Sequence, residues 1–152
     1  MLRLFDYWES GNAILFHLAA GTEFLPEDGW QRAQALQWMF FEQYSHEPYI
    51  AVVRFWHFSG QLDAHRAELA AKMEGGTSAL GVMERHLAKH EFFAGEGYSV
   101  ADIALYAYTH VAAEGGFDLE PFPALRRWLD RVRGQPGHVA ITDEVGIAAT
   151  WP

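Results

Sequence analysis

The chain has 152 residues, half of them hydrophobic and 15% aromatic, with a formal net charge of −9 at pH 7 and no cysteine. This composition suits one folded domain with a sizeable core. It excludes a disordered chain, disulfides, thiolate metal sites and a cysteine nucleophile. So acidic a surface repels phosphate backbones, so nucleic acid is not an expected partner. No apolar run reaches the roughly 18 to 20 residues that a membrane helix needs, so no membrane partner is expected. Without cysteines or a basic, cleavable leader at Met1, the expected location is the cytoplasm.

Residues 2–5, "LRLF", read as a short extended remnant. From Ser10 to Ala20 a first helix is expected, with Ile14, Leu15, Leu18 and Ala19 at helical spacing and Gly21 as its terminator. "TEFLPEDG" is a loop. A long helix starts at Gly29 or Trp30, with Trp30, Ala33, Phe40, Phe41 and Tyr44 on one arc and Leu36, Trp38 and Met39 elsewhere. A helix apolar on more than one side is central or packs against a second body. Pro48 removes a backbone donor and disfavours helix at Glu47, which predicts a kink or break before helix resumes to Phe58. Residues 61–90 read as one long helix weakened, and possible to bend, at Gly75-Gly76, with Glu84, Arg85 and Lys89 outside its apolar face. The stretch at 100–113 is apolar nearly all round and reads as the buried central helix. Ser99 is a good N-cap and Asp102 can answer it in a capping box, with Tyr98 and Ile103 as the accompanying staple. Pro123 opens a last helix that buries Leu125, Trp128, Leu129 and Val132, and Gly134 and Pro136 close it. The reading is an all-α bundle of five or six helices.

His86 and His90, four residues apart, share a helix face and a usable zinc spacing. No third ligand is in view, so a solvated face is the simpler reading and no metal site is assigned. His46 and Glu47 sit at the expected kink, where freed backbone groups make a plausible site edge. They serve equally well to satisfy that irregular backbone. Tyr106 and His110 lie one turn apart on the central helix, as core residues or as pocket lining. Capping accounts for Asp102 better than acid catalysis does.

The order and spacing of "ESGNAILFHLA", "TEFLP", "RAQALQWMFFEQYSHEPYIAVVRF", "LGVMERHLAKHEFFAGEGYSVADIALYAYTH" and "FPALRRWLDRVRGQPG" resemble the C-terminal helical domain of the glutathione transferase family. "YSVADIALY" looks like that family's capping box. The resemblance covers about Leu2 to His138. It implies a two-domain enzyme in which a thioredoxin-like unit binds glutathione and activates its thiol, while the helical domain holds a hydrophobic electrophile. It also implies that Glu9 and Ser10 are what remains of the glutathione contact, displaced by an apparent one-residue insertion, and that Phe41, Tyr44, His46, Tyr106 and His110 edge the electrophile pocket. Residues 1–9 then read as a remnant of the thioredoxin-like unit and 10–152 as the helical domain. A thioredoxin-like unit needs a βαβ crossover, which the residues before the helical domain are too few to form. The expectation is a truncated homologue without conjugating activity of its own. It has no cofactor beyond glutathione as a possible co-substrate, and it self-associates as a homodimer. An assembly module or a passive hydrophobic-ligand binder is the alternative.

Overall fold

The computed structural model describes residues 11–139, which form six α-helices: α1 (Gly11–Leu18), α2 (Gly29–Phe41), α3 (Glu47–Phe58), α4 (Arg66–Leu87), α5 (Val100–Thr109) and α6 (Pro123–Arg133). A π turn spans Glu42–His46 and a 3₁₀ turn spans Ala112–Gly115. No strand occurs among the described residues, and the fold is all-α as expected. The readings of residues 2–5, Glu9 and Ser10, and of the tail after Val139, fall outside the described residues.

Asp28 starts α2. Its backbone is extended, and its carboxylate accepts the N–H groups of Trp30 at 3.1 Å and Gln31 at 2.9 Å, two of the donors that a helix start leaves open. The arc of Trp30, Phe40 and Tyr44 points outward, these residues being 72%, 70% and 85% exposed. Ala35 and Met39 are buried on the opposite side, and Trp38 packs against the core there. The helix is thus apolar towards both core and solvent.

The interruption near Pro48 is a π turn that lets helix continue from α2 into α3. Pro48 has no N–H to return to the Tyr44 carbonyl, and its ring crowds that group. The backbone widens just ahead of it, and the Glu47 N–H reaches Glu42 O, five residues back.

The expected weak point in the next helix is a notch instead. α4 runs unbroken through Gly75 and Gly76. A Cβ at Gly75 would strike the Tyr49 ring, and one at Gly76 would strike the Phe117 ring. Both glycines let α3 and the segment after α5 sit directly on α4. The helix begins later than its periodicity suggests. Gly60, at φ +70°, and the turns that follow it absorb the reversal out of α3. α5 likewise ends at Thr109 rather than 113, because the chain tightens into the 3₁₀ turn and reverses at Gly116, φ +82°.

The core centres on Trp128, Phe93, Ile50, Leu80, Met83, Leu105 and Leu125. α6 buries Leu125, Trp128, Leu129 and Val132, the face its pattern marks out. Glu84 corrects the sequence reading, which places it on the outer side of α4. Its carboxylate accepts the N–H groups of Ala124 at 3.1 Å and Leu125 at 2.8 Å and so caps α6. That first turn needs an outside acceptor because Phe122 makes no side-chain cap.

Candidate functional site

α5 is the element around which the site is built, and a buried carboxylate fixes it. Ser99, in extended conformation, precedes the first turn. One oxygen of Asp102 accepts the Ser99 N–H and the Ser99 hydroxyl, both at 3.0 Å. The other accepts the Phe93 N–H at 3.2 Å and the Trp128 indole N–H at 2.8 Å. Burial lifts its carboxyl to about 6, against those four bonds, which pull it down. Fully enclosed, Asp102 joins α5, the turn before it and α6. It lines neither of the two hollows beside α5.

Two hollows open on either side of one edge of α5, and Ile103 and Ala107, one turn apart, line both. The first is a recess of about 500 Å³. Its walls are Phe24 and Tyr98, the outer face of α5 with Tyr106 and His110, and the segment from Gln135 to Val139. The second is a groove of about 350 Å³ between α1, the π turn and α5. There Glu42, almost enclosed, accepts Asn12 Nδ2 and Gln43 Nε2, each at 2.8 Å. Asn12 also donates to the Met39 carbonyl at 3.1 Å, which ties α1 to the end of α2. Burial raises the carboxyls of both Glu42 and Glu47 in this groove. The recess is therefore apolar and aromatic, whereas the groove carries two carboxylates.

The five residues assigned to one pocket do not meet in one. Tyr106 and His110 stack, with ring centroids 4.5 Å apart and planes within 5°, and both line the recess. Phe41 is half-buried and edge-on to Trp38 at 5.2 Å. Tyr44 points to solvent, and His46 is buried beneath α5. Tyr44 and His46 are two residues apart, about 200° around a helix, so one faces out and the other in. His46 Nε2 lies 2.8 Å from Thr109 Oγ1, and the Thr109 hydroxyl itself donates to the Leu105 carbonyl at 2.5 Å. His46 must therefore donate, which leaves its Nδ1 a buried acceptor without a partner among the described residues. Burial pushes its imidazole down to about 3. His86 and His90 stack at 4.4 Å, and His86 Nε2 donates to the Phe92 carbonyl at 3.1 Å.

Sequence reading missed Asn12, Glu42, Gln43 and Tyr108 as lining of the groove, and Phe24 and His138 as lining of the recess. One signal was available. Glu42 is a carboxylate where the helical pattern, after Ala35 and Met39, calls for a core residue.

The all-α bundle has the order of helices of a known domain family. Residues 34–136 match the family model "Glutathione S-transferase, C-terminal domain", and the chain belongs to that family. It is 32% identical over 132 residues to the disulfide-bond oxidoreductase YfcG of Escherichia coli, covering 85% of this chain and 60% of that protein. Among solved structures, a glutathione S-transferase from Pseudomonas fluorescens superposes with TM-score 0.85 at 53% identity, over 90% of this chain and 68% of that one. A glutathione transferase from Pseudomonas putida, solved with one glutathione disulfide per subunit, superposes with TM-score 0.75 at 30% identity, over 89% of this chain and 60% of that one. The chain thus spans about half to two-thirds of the length of the relatives it matches.

Proposed function

We propose that this chain is the co-substrate-binding half of a glutathione-dependent transferase, and that its 152 residues do not by themselves activate the glutathione thiol. The observation that carries the reading is the pair of hollows sharing the Ile103–Ala107 edge of α5, one apolar and aromatic and one carrying two carboxylates. An apolar electrophile suits the recess, whose lining is largely aromatic and aliphatic. Thiolate attack on an electrophile requires a lowered thiol pKa and a residue that supplies it. The groove offers the reverse, since its side chains Glu42 and Glu47 are carboxylates that oppose a second negative charge. The chain has no cysteine for disulfide exchange of its own. The experiment is a conjugation assay with glutathione and an aryl halide. The rate expected is that of buffer alone, and clear enzyme-dependent turnover would overturn the reading.

A specific observation favours a second reading, self-association as a homodimer or assembly module. The outward aromatic residues of α2 and of the π turn after it, Trp30, Phe40 and Tyr44, leave large apolar side chains in water. Large apolar side chains held in water are the residues that contact surfaces bury. The two readings are compatible, because this arc and the recess involve different residues. A location in the cytoplasm fits a chain whose described helices include none long and apolar enough to cross a membrane.

A further inference from the structure

Among the six helices α1 alone has no fully buried residue, whereas each of the others encloses at least two. Leu15 and Phe16 lie against the core only partly covered, and Leu18 is 65% exposed. The helix has eight residues, and helices shorter than about 12 residues hold in water only with help from packing. One side chain ties its first turn to the bundle. Asn12 donates to the Met39 carbonyl at 3.1 Å and to Glu42 Oε2 at 2.8 Å. Among the described residues, α1 sends no other hydrogen bond to another element.

The far end of α1 is built differently. Ala19 and Leu25 are buried, the Thr22 hydroxyl donates to the Ala19 carbonyl at 2.8 Å, and the Phe24 carbonyl accepts the Val100 N–H of α5 at 2.8 Å. Between these anchors stands Gly21, at φ +77° with open space where a Cβ would be. The chain thus has a fixed base with a pivot inside it. α1 also walls the groove, through Gly11, Asn12 and Leu15. The carboxylate on which Asn12 rests, Glu42, is 3% exposed.

We propose that α1 is a gate on the carboxylate groove: latched by Asn12 on Glu42, it opens about Gly21 as a unit of its own while the other five helices stay folded. Segments with few buried contacts open more readily than the core. Opening α1 breaks the two Asn12 bonds and uncovers side chains that are already partly exposed. Opening α5 would expose seven buried residues. With α1 open the groove loses one wall, and the Glu42 carboxylate meets water. The latch joins an amide donor to a carboxylate acceptor. A second carboxylate in place of Asn12 would therefore push the two apart. Exchanging the roles, with an amide at position 42 and a carboxylate at position 12, would remake the bond.

The test is native-state hydrogen exchange of the full chain at pH 7, read by NMR. The Phe16, Leu18 and Ala19 amides report on α1, and those of Leu105 and Tyr106 report on α5. In the parent the α1 amides should exchange at least about 100-fold faster than the α5 amides. Asn12→Ala should speed α1 by about tenfold more and leave α5 within about twofold. Asn12→Asp should speed α1 at least as much, and Asn12→Asp with Glu42→Gln should return it to within about threefold of the parent. The α5 amides show in each variant that the rest of the bundle is folded. Exchange of α1 and α5 at one common rate in the parent would overturn the gate. Equal acceleration of α1 and α5 by Asn12→Ala would overturn it too. Failure of the exchanged pair to slow α1 relative to Asn12→Asp would overturn Glu42 as the latch.

Discussion

His46 and Thr109 are 63 residues apart in sequence and 2.8 Å apart in space, and their hydrogen bond pins the π turn of the long helix to the last turn of α5. The neutral imidazole is what fits there, because no charged partner accompanies it among the described residues and burial holds it down to about 3. The unfolded chain takes up this proton near pH 6.5, the ordinary histidine value. A group depressed on folding contributes stability that is present above its unfolded pKa and lost as pH falls, here from about 6.5 towards 3.

Asp102 works in the opposite direction. Its folded value, about 6, lies above the ordinary 3.8, so its contribution is full below 3.8 and is lost as pH rises through 6. Each limb has a slope of up to roughly 1.4 kcal/mol per pH unit. Between pH 6 and 4 the two oppose each other. His46→Leu should therefore gain urea stability relative to the parent as pH falls from 6.5 to 4, while Asp102→Asn should lose it. Asp102→Asn should also be about 1 to 3 kcal/mol less stable at pH 7, where the Ser99 bonds are broken. Urea melts at pH 7.5, 6, 5 and 4 read all three curves.

The glycine notch in α4 makes a second contrast. Helix propensity favours alanine over glycine by about 1 kcal/mol. At Gly76 the added methyl meets Phe117, a buried ring, with Ile50 behind it. Gly76→Ala should lose about 1 to 3 kcal/mol in a denaturant melt. At Gly75 the neighbour is the half-buried Tyr49 ring beneath the Lys72 ammonium, which has solvent to move into. Gly75→Ala should stay within about 1 kcal/mol of the parent.

Glu84 should behave as a remote helix cap. Glu84→Ala removes the acceptor for two N–H groups of α6 and should cost about 1 to 2 kcal/mol. Glu84→Gln keeps one oxygen and should recover part of that loss in the same thermal melts.

What could be read in the sequence follows from what each pattern reports. Ser99 and Asp102 are visible because a cap is local, and the face of α6 is visible because it is strictly amphipathic. The long-range roles are not. That Trp128 joins Asp102, or that Glu84 caps a helix 40 residues on, depends on packing that no local pattern encodes. The same holds for Gly75-Gly76, where a break signal and a close-contact signal look identical in sequence. Tyr106 and His110 share a wall because they lie one turn apart on α5, whereas Tyr44 and His46, two residues apart on a helical segment, face opposite sides.

Self-association through the arc of Trp30, Phe40 and Tyr44 has its own readout. Light scattering should give about twice the 17.2 kDa chain mass. Phe40→Glu with Tyr44→Glu, both at exposed positions, should return the mass to that of a single chain with little loss of helix by circular dichroism. A parent that remains a single chain at high concentration would count against the arc as a contact surface.

Parallel calorimetric titrations with glutathione and with an aryl halide electrophile test the account's central claim most directly. The recess on α5 predicts saturable heat for the electrophile and none for glutathione with this chain alone. Saturable binding of glutathione, with no detectable binding of the electrophile, would contradict it.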